Sequence, residues 1–129
     1  MAWRAVAGLI GIFFLINAAG WVMDPLSAAE GLGMPLLDGI GRSTQIGDIG
    51  ALFLAMGGLA AAGAWRMNSH WIQAAGILLG SAAVMRTLAW VLHDAAFATS
   101  FIVIEAVGAA LLILAATKVQ AASSGANEA

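Results

Sequence analysis

The chain has 129 residues, of which 62% are hydrophobic and 9% charged, with a formal charge of −2. That balance is too poor in charge to cover the surface of a water-soluble domain, and it supplies no basic patch for nucleic acid. Cysteine is absent, which excludes disulfides and thiolate chemistry, and the two histidines, His70 and His93, lack the spacing of a metal-ligand pair.

A membrane-crossing helix needs about 20 mostly apolar residues. The first such run spans about residues 3–23. It is too long for the apolar segment of a signal peptide, so it reads as a retained helix. Residues 24–44 follow as the one long loop. Asp24-Pro25 has the form of an N-cap followed by proline at the first helical position, which predicts a short interfacial helix ending at Gly31. Met34-Pro35 and Asp38-Gly39 are turn signals.

The second run covers about residues 45–65 and the third about 71–92, joined by the polar link 66–70, where Ser69 is the expected cap. The fourth covers about residues 99–119, after a link over 93–98. A small-residue tail, 120–129, is expected to fray. Short links place neighbours antiparallel. The expected fold is therefore all-α: one membrane domain, a four-helix transmembrane bundle of up-down topology, with an ordered segment between helices 1 and 2. Gly76 and Gly80, with Ala7 and Gly11, form small-xxx-small pairs that suit close packing inside the bundle.

Basic residues set the orientation. Arg4, Arg66 and Lys118 fall on the side of the termini, against Arg42 on the other, so both termini are expected in the cytoplasm. Trp3, Trp65 and Trp71 mark the same boundary, and Trp21 and Trp90 the opposite one, as an aromatic belt would.

Four polar residues break the apolar runs: Asn17, Asp48, Arg86 and Glu105. A charge at the centre of a spanning helix costs about 2.5–3.5 kcal/mol even on insertion scales, so each needs a reason. Asn17, Arg86 and Glu105 lie about 5 or 6 residues from the outer helix ends, roughly 8–9 Å inside at about 1.5 Å per residue. Asp48 lies nearer the surface. Asp48 shares a helical stripe with Ala51, Leu52, Ala55 and Leu59, and Glu105 shares one with Ile102, Gly108, Ala109 and Leu112. The four are therefore expected to converge on one outer-half interior. Arg86 stacks in sequence below Trp90 and His93, which predicts a polar ladder to the outer surface, with those two residues at the periphery of the site.

Two readings of this cluster stand side by side. Arg86 pairs with Glu105 and Asp48 to fix helix register, or the group is the polar wall of a pocket, with Phe13, Phe14, Phe101 and Trp90 completing it. The order of motifs adds a resemblance. Asn17 ends Phe13-Phe14-Leu15-Ile16-Asn17, Gly33-Met34-Pro35-Leu36 lies in the loop, and Asp48-Ile49-Gly50-Ala51 opens helix 2. Met85-Arg86 then comes late in helix 3, and Ile104-Glu105 early in helix 4. Over about residues 8–118 this resembles the small DoxX-like bacterial membrane proteins, in particular a branch of unknown function. Ala18 stands where that pattern has proline, and Met85 where it has glycine. The resemblance implies the four-helix fold and a bacterial plasma membrane, and brings no established reaction.

The leading functional expectation is binding of a small apolar ligand, a lipid or a quinone at the outer-leaflet cluster. An accessory subunit with a protein partner or a homo-oligomer, an intramembrane isomerase with Glu105 as acid/base, and a small proton-coupled transporter stay open beside it. No phosphate loop or dinucleotide fingerprint is present, and no motif names a cofactor or a metal site.

Overall fold

Inside a bilayer every backbone N–H and C=O must find its partner within the chain, so apolar runs of this length resolve into helices. The computed structural model describes residues 1–127, with side chains described through residue 125. It is all-α: α1 (Ala2–Met23), α2 (Pro25–Gly31), α3 (Gly39–Thr44), a π-helical turn (Gln45–Ile49), α4 (Gly50–Arg66), α5 (Ser69–His93) and α6 (Thr99–Asn127). Four segments are long and apolar enough to cross a membrane: α1, the continuous run Gly39–Arg66, α5 and α6. The protein is an integral membrane protein built as a four-helix bundle.

The helix ends follow local chemistry. Asp24 caps α2 by accepting the Ser27 N–H at 3.2 Å, with Pro25 at the first position, as its sequence predicts. The α4–α5 link is closed differently from the expectation. Met67 takes a left-handed conformation (φ 55°), and the cap is Asn68, whose side chain accepts the Trp71 N–H at 3.2 Å. Ser69 is already the first helical residue. Asparagine and serine are near-equal caps, so position alone decides.

Two boundaries differ from the sequence reading. The second spanning segment starts at Gly39 rather than near Gln45, and a π turn interrupts it. The tail after Gln120 is helical through Asn127 rather than frayed. Alanine-rich sequence favours helix, and Gln120, Ser123 and Ser124 border a polar hollow shared with the 66–70 link. Residues 128 and 129 of the expected tail lie outside the described residues.

Around the ring, α1 packs on α4, α4 on α5 and α5 on α6, with the lesser α6–α1 contact closing it. The α1–α4 contact is backbone-close. A Cβ added at Gly11 would lie 2.6 Å from the Ala61 nitrogen, and one at Gly57 would lie 2.7 Å from the Leu15 nitrogen. Gly76 lies against Ile113 and Leu112, and Gly80 against Ala109, so the glycine pair of α5 seats α6 inside the bundle.

The main core cluster draws Ala7 and Phe14 from α1, Met56, Ala60 and Ala64 from α4, Ile72, Ala75 and Leu79 from α5, and residues between Leu112 and Val119 of α6. Most lie in the half of the bundle that carries the chain termini, with Phe14, Met56 and Leu79 at its limit. At the opposite, loop-bearing end the helices surround a cavity.

Candidate functional site

The cavity measures about 430 Å³, within the range of roughly 300–1,000 Å³ typical of small-molecule sites. All four spanning segments wall it. Phe13, Phe14, Asn17 and Trp21 come from α1, Ile49, Leu52, Phe53 and Met56 from the π turn and α4, Leu79, Ala82 and Arg86 from α5, and Phe101, Ile104 and Glu105 from α6. Residues of α2 and Met34 complete it at the loop end. Its surface is mostly apolar, with Phe14 and Phe53 stacked at 5.7 Å between ring centroids.

The polar centre is an ion pair. Arg86 Nε donates to Glu105 Oε1 at 2.8 Å. The side chains are 32% and 12% exposed respectively, so the contact is drier than a surface pair. The guanidinium carbon also lies 4.7 Å from the Phe101 ring centroid, a cation–π contact that orients the charge from the α6 side. Within the described residues Arg86 uses only this one nitrogen as a donor. Glu105 Oε2 is out of reach of solvent and makes no hydrogen bond there. A buried carboxylate oxygen without a donor is costly, and here it belongs to a residue that lines a cavity. The pair thus leaves one acceptor and further donors without partners, on two residues that line the cavity.

Asn17 reaches the same cavity but not the ion pair, since its Nδ2 donates to the Phe13 carbonyl one turn back at 2.8 Å. Its side-chain oxygen is left for other donors.

Asp48 is not part of this group. It is exposed and does not line the cavity. Ala51 and Ala55, on its stripe, are exposed too, while Met56, Gly57 and Ala60 face the core. Two causes combine. Small and apolar residues cover both faces of this helix, so periodicity does not separate interface from lipid. The π turn also adds a residue to the helical count just at Asp48, which rotates it relative to α4.

The polar ladder above Arg86 does not form either. Trp90 is 48% exposed and packs edge-on against Phe97 at 4.9 Å, and His93 is exposed in the last turn of α5. Neither residue lines the cavity. The α5–α6 link draws Trp90 to itself through Phe97. Trp21, expected in an interfacial belt, is instead 1% exposed and forms part of the cavity wall.

One residue of consequence was not singled out from the sequence. Gln45, in the π turn, is the buried polar side chain among the described residues, 6% exposed. Its Oε1 accepts the Leu37 N–H at 2.8 Å, and its Nε2 donates to the Pro35 carbonyl at 3.0 Å and contacts Met34 Sδ at 3.1 Å. It pins residues 34–37 and with them Met34 at the cavity. The available signal was an amide at the mouth of an apolar run, ten residues after a proline whose carbonyl needs a donor.

Metal-binding groups of three or more acidic, histidine or cysteine side chains are absent among the described residues. The chain matches no family model, no curated protein and no solved structure.

Proposed function

We propose that this integral membrane protein binds a small apolar or lipid-like molecule in the cavity at its loop end, with Arg86 and Glu105 holding the molecule's polar group. The observation that carries this reading is Glu105 Oε2, a solvent-inaccessible oxygen without a hydrogen bond, on a residue that walls a cavity of ligand size. A pair kept only to fix helix register has no use for that oxygen or for a cavity beside it. The apolar wall, with its Phe and Trp rings, suits hydrocarbon or a ring system.

We further propose, from the placement of Arg4, Arg66 and Lys118, that both termini face the cytoplasm of a bacterial cell, which puts the cavity in the outer leaflet of the plasma membrane. The resemblance to DoxX-like proteins belongs with this proposal and rests on the order of the motifs at Asn17, Gly33–Leu36, Asp48–Ala51, Arg86 and Glu105.

Native mass spectrometry of protein extracted in mild detergent tests the binding reading. A retained small molecule at defined stoichiometry is the expected result. A stoichiometric protein partner with no small molecule would replace binding with an accessory-subunit role.

A further inference from the structure

A second hollow adjoins the cavity. It is a groove of about 270 Å³ between α1 and α6, with Leu9 and Ile10 on one side and Gly108 on the other. Phe13, Phe14, Leu79 and Ile104 border both hollows. The groove thus begins at Ile104, the neighbour of Glu105, and extends one turn toward the middle of the bundle, to Gly108 and Leu9. Its rim lies on the outside of the molecule: Leu9 is 67% exposed, Phe13 54% and Ile104 58%. In a membrane-crossing helix such positions face acyl chains. The groove also follows the least extensive of the four helix contacts in the ring.

The polar end restricts what fits there. Arg86 and Glu105 already cancel each other's charge, and an anionic head would leave a net charge in a poorly solvated place. An uncharged hydroxyl meets both unmet needs. With the Glu105 carboxylate turned toward the cavity, the O–H donates to Oε2, and the hydroxyl oxygen accepts from a terminal N–H of Arg86. A chain running from that head along the shared wall reaches the groove, which lies on the lipid side.

We propose that the α1–α6 groove holds the hydrocarbon chain of a single-chain amphiphile with an uncharged hydroxyl head, and that this molecule enters sideways from the bilayer between α1 and α6. This rests on the reading of the cavity as a binding site and adds the ligand's class, its chain position and its route.

The probe is 1-dodecanol, together with a derivative carrying a photoreactive diazirine near the chain end, offered to the protein in phosphatidylcholine nanodiscs. Illumination is expected to label residues 9–13 and 104–108. Unlabelled 1-dodecanol is expected to suppress that labelling, while dodecane and dodecanoate do not. Leu9→Trp adds bulk to the groove at an exposed position without touching the ion pair, and it should abolish labelling of this segment at unchanged Tm. Leu9→Phe serves the same purpose if the tryptophan variant does not fold. Equal competition by dodecanoate would overturn the uncharged head. Suppose instead that 1-dodecanol raises Tm, and Glu105→Gln removes that shift, but the label falls elsewhere and Leu9→Trp changes nothing. Then the groove and the lateral route are wrong while the cavity reading stands. Neither labelling nor a Tm shift with 1-dodecanol would overturn the hydroxyl amphiphile altogether, and the co-purified molecule would then judge the cavity reading on its own.

Discussion

Arg86 and Glu105 meet through one nitrogen and one oxygen, and both residues line the cavity. Removing one member strands the other in a poorly solvated place, which typically costs about 3–5 kcal/mol, whereas removing both need not. Arg86→Leu is therefore expected to lower Tm in detergent more than Arg86→Leu combined with Glu105→Leu. Additive losses in the thermal-shift cycle would mean that the pair is not energetically coupled. At this scale the sequence was partly legible. A charge in a spanning helix has few ways to be accommodated, so Arg86 and Glu105 could be matched by depth and sign, and Asn17 by depth. Asp48 could not be placed correctly, because its orientation depends on a π turn that leaves no periodic trace in a helix of small residues. Gln45 escaped notice because its role depends on a loop that folds back over it, a contact made ten residues away in sequence.

At the scale of elements, the short helix α2 borders the cavity through Ser27, Ala28 and Gly31, and its start rests on Asp24. Hydrogen bonding from Ser27, its side chain first and then its backbone N–H, holds the Asp24 carboxyl below its ordinary value. The sign follows. A group whose folded pKa is depressed contributes stability above its unfolded value, and loses it as pH falls through the folded one. The α2 amides should thus stay protected from hydrogen exchange at neutral and mildly acid pH and lose protection in strong acid. Asp24→Asn, which can still cap but does not titrate, should remove the pH dependence. Persistence of that dependence in Asp24→Asn would assign it to another group. The element itself was readable because an Asp-Pro pair carries both a cap and a fixed φ. The onset of the second spanning segment was not. Asp38-Gly39 reads as a turn, and Gly39 does take a positive φ of 54°, but the turn leads directly into helix rather than into further loop.

For the whole molecule, composition and run length were enough to give four antiparallel helices, because the bilayer leaves the backbone little choice. The cavity was not legible. It is walled by side chains from all four spanning segments, α2 and the loop, and no single run of sequence records how they meet. Orientation carries its own test. Ser27→Cys should react with an impermeant thiol reagent from the periplasmic side and His70→Cys only after the cytoplasmic face is opened. The reverse pattern would invert the proposed topology.

The central claim is that Glu105 serves a ligand and not merely the fold, and the most direct measurement is paired on one variant. Glu105→Gln keeps the shape of the side chain and an oxygen for Arg86 while removing its counter-charge, so its Tm in detergent should fall less than that of Glu105→Leu and leave the protein folded. It replaces the free carboxylate acceptor with a donor, so the small molecule retained on purification should be lost. A folded Glu105→Gln protein that carries the same bound molecule in the same amount would contradict the account.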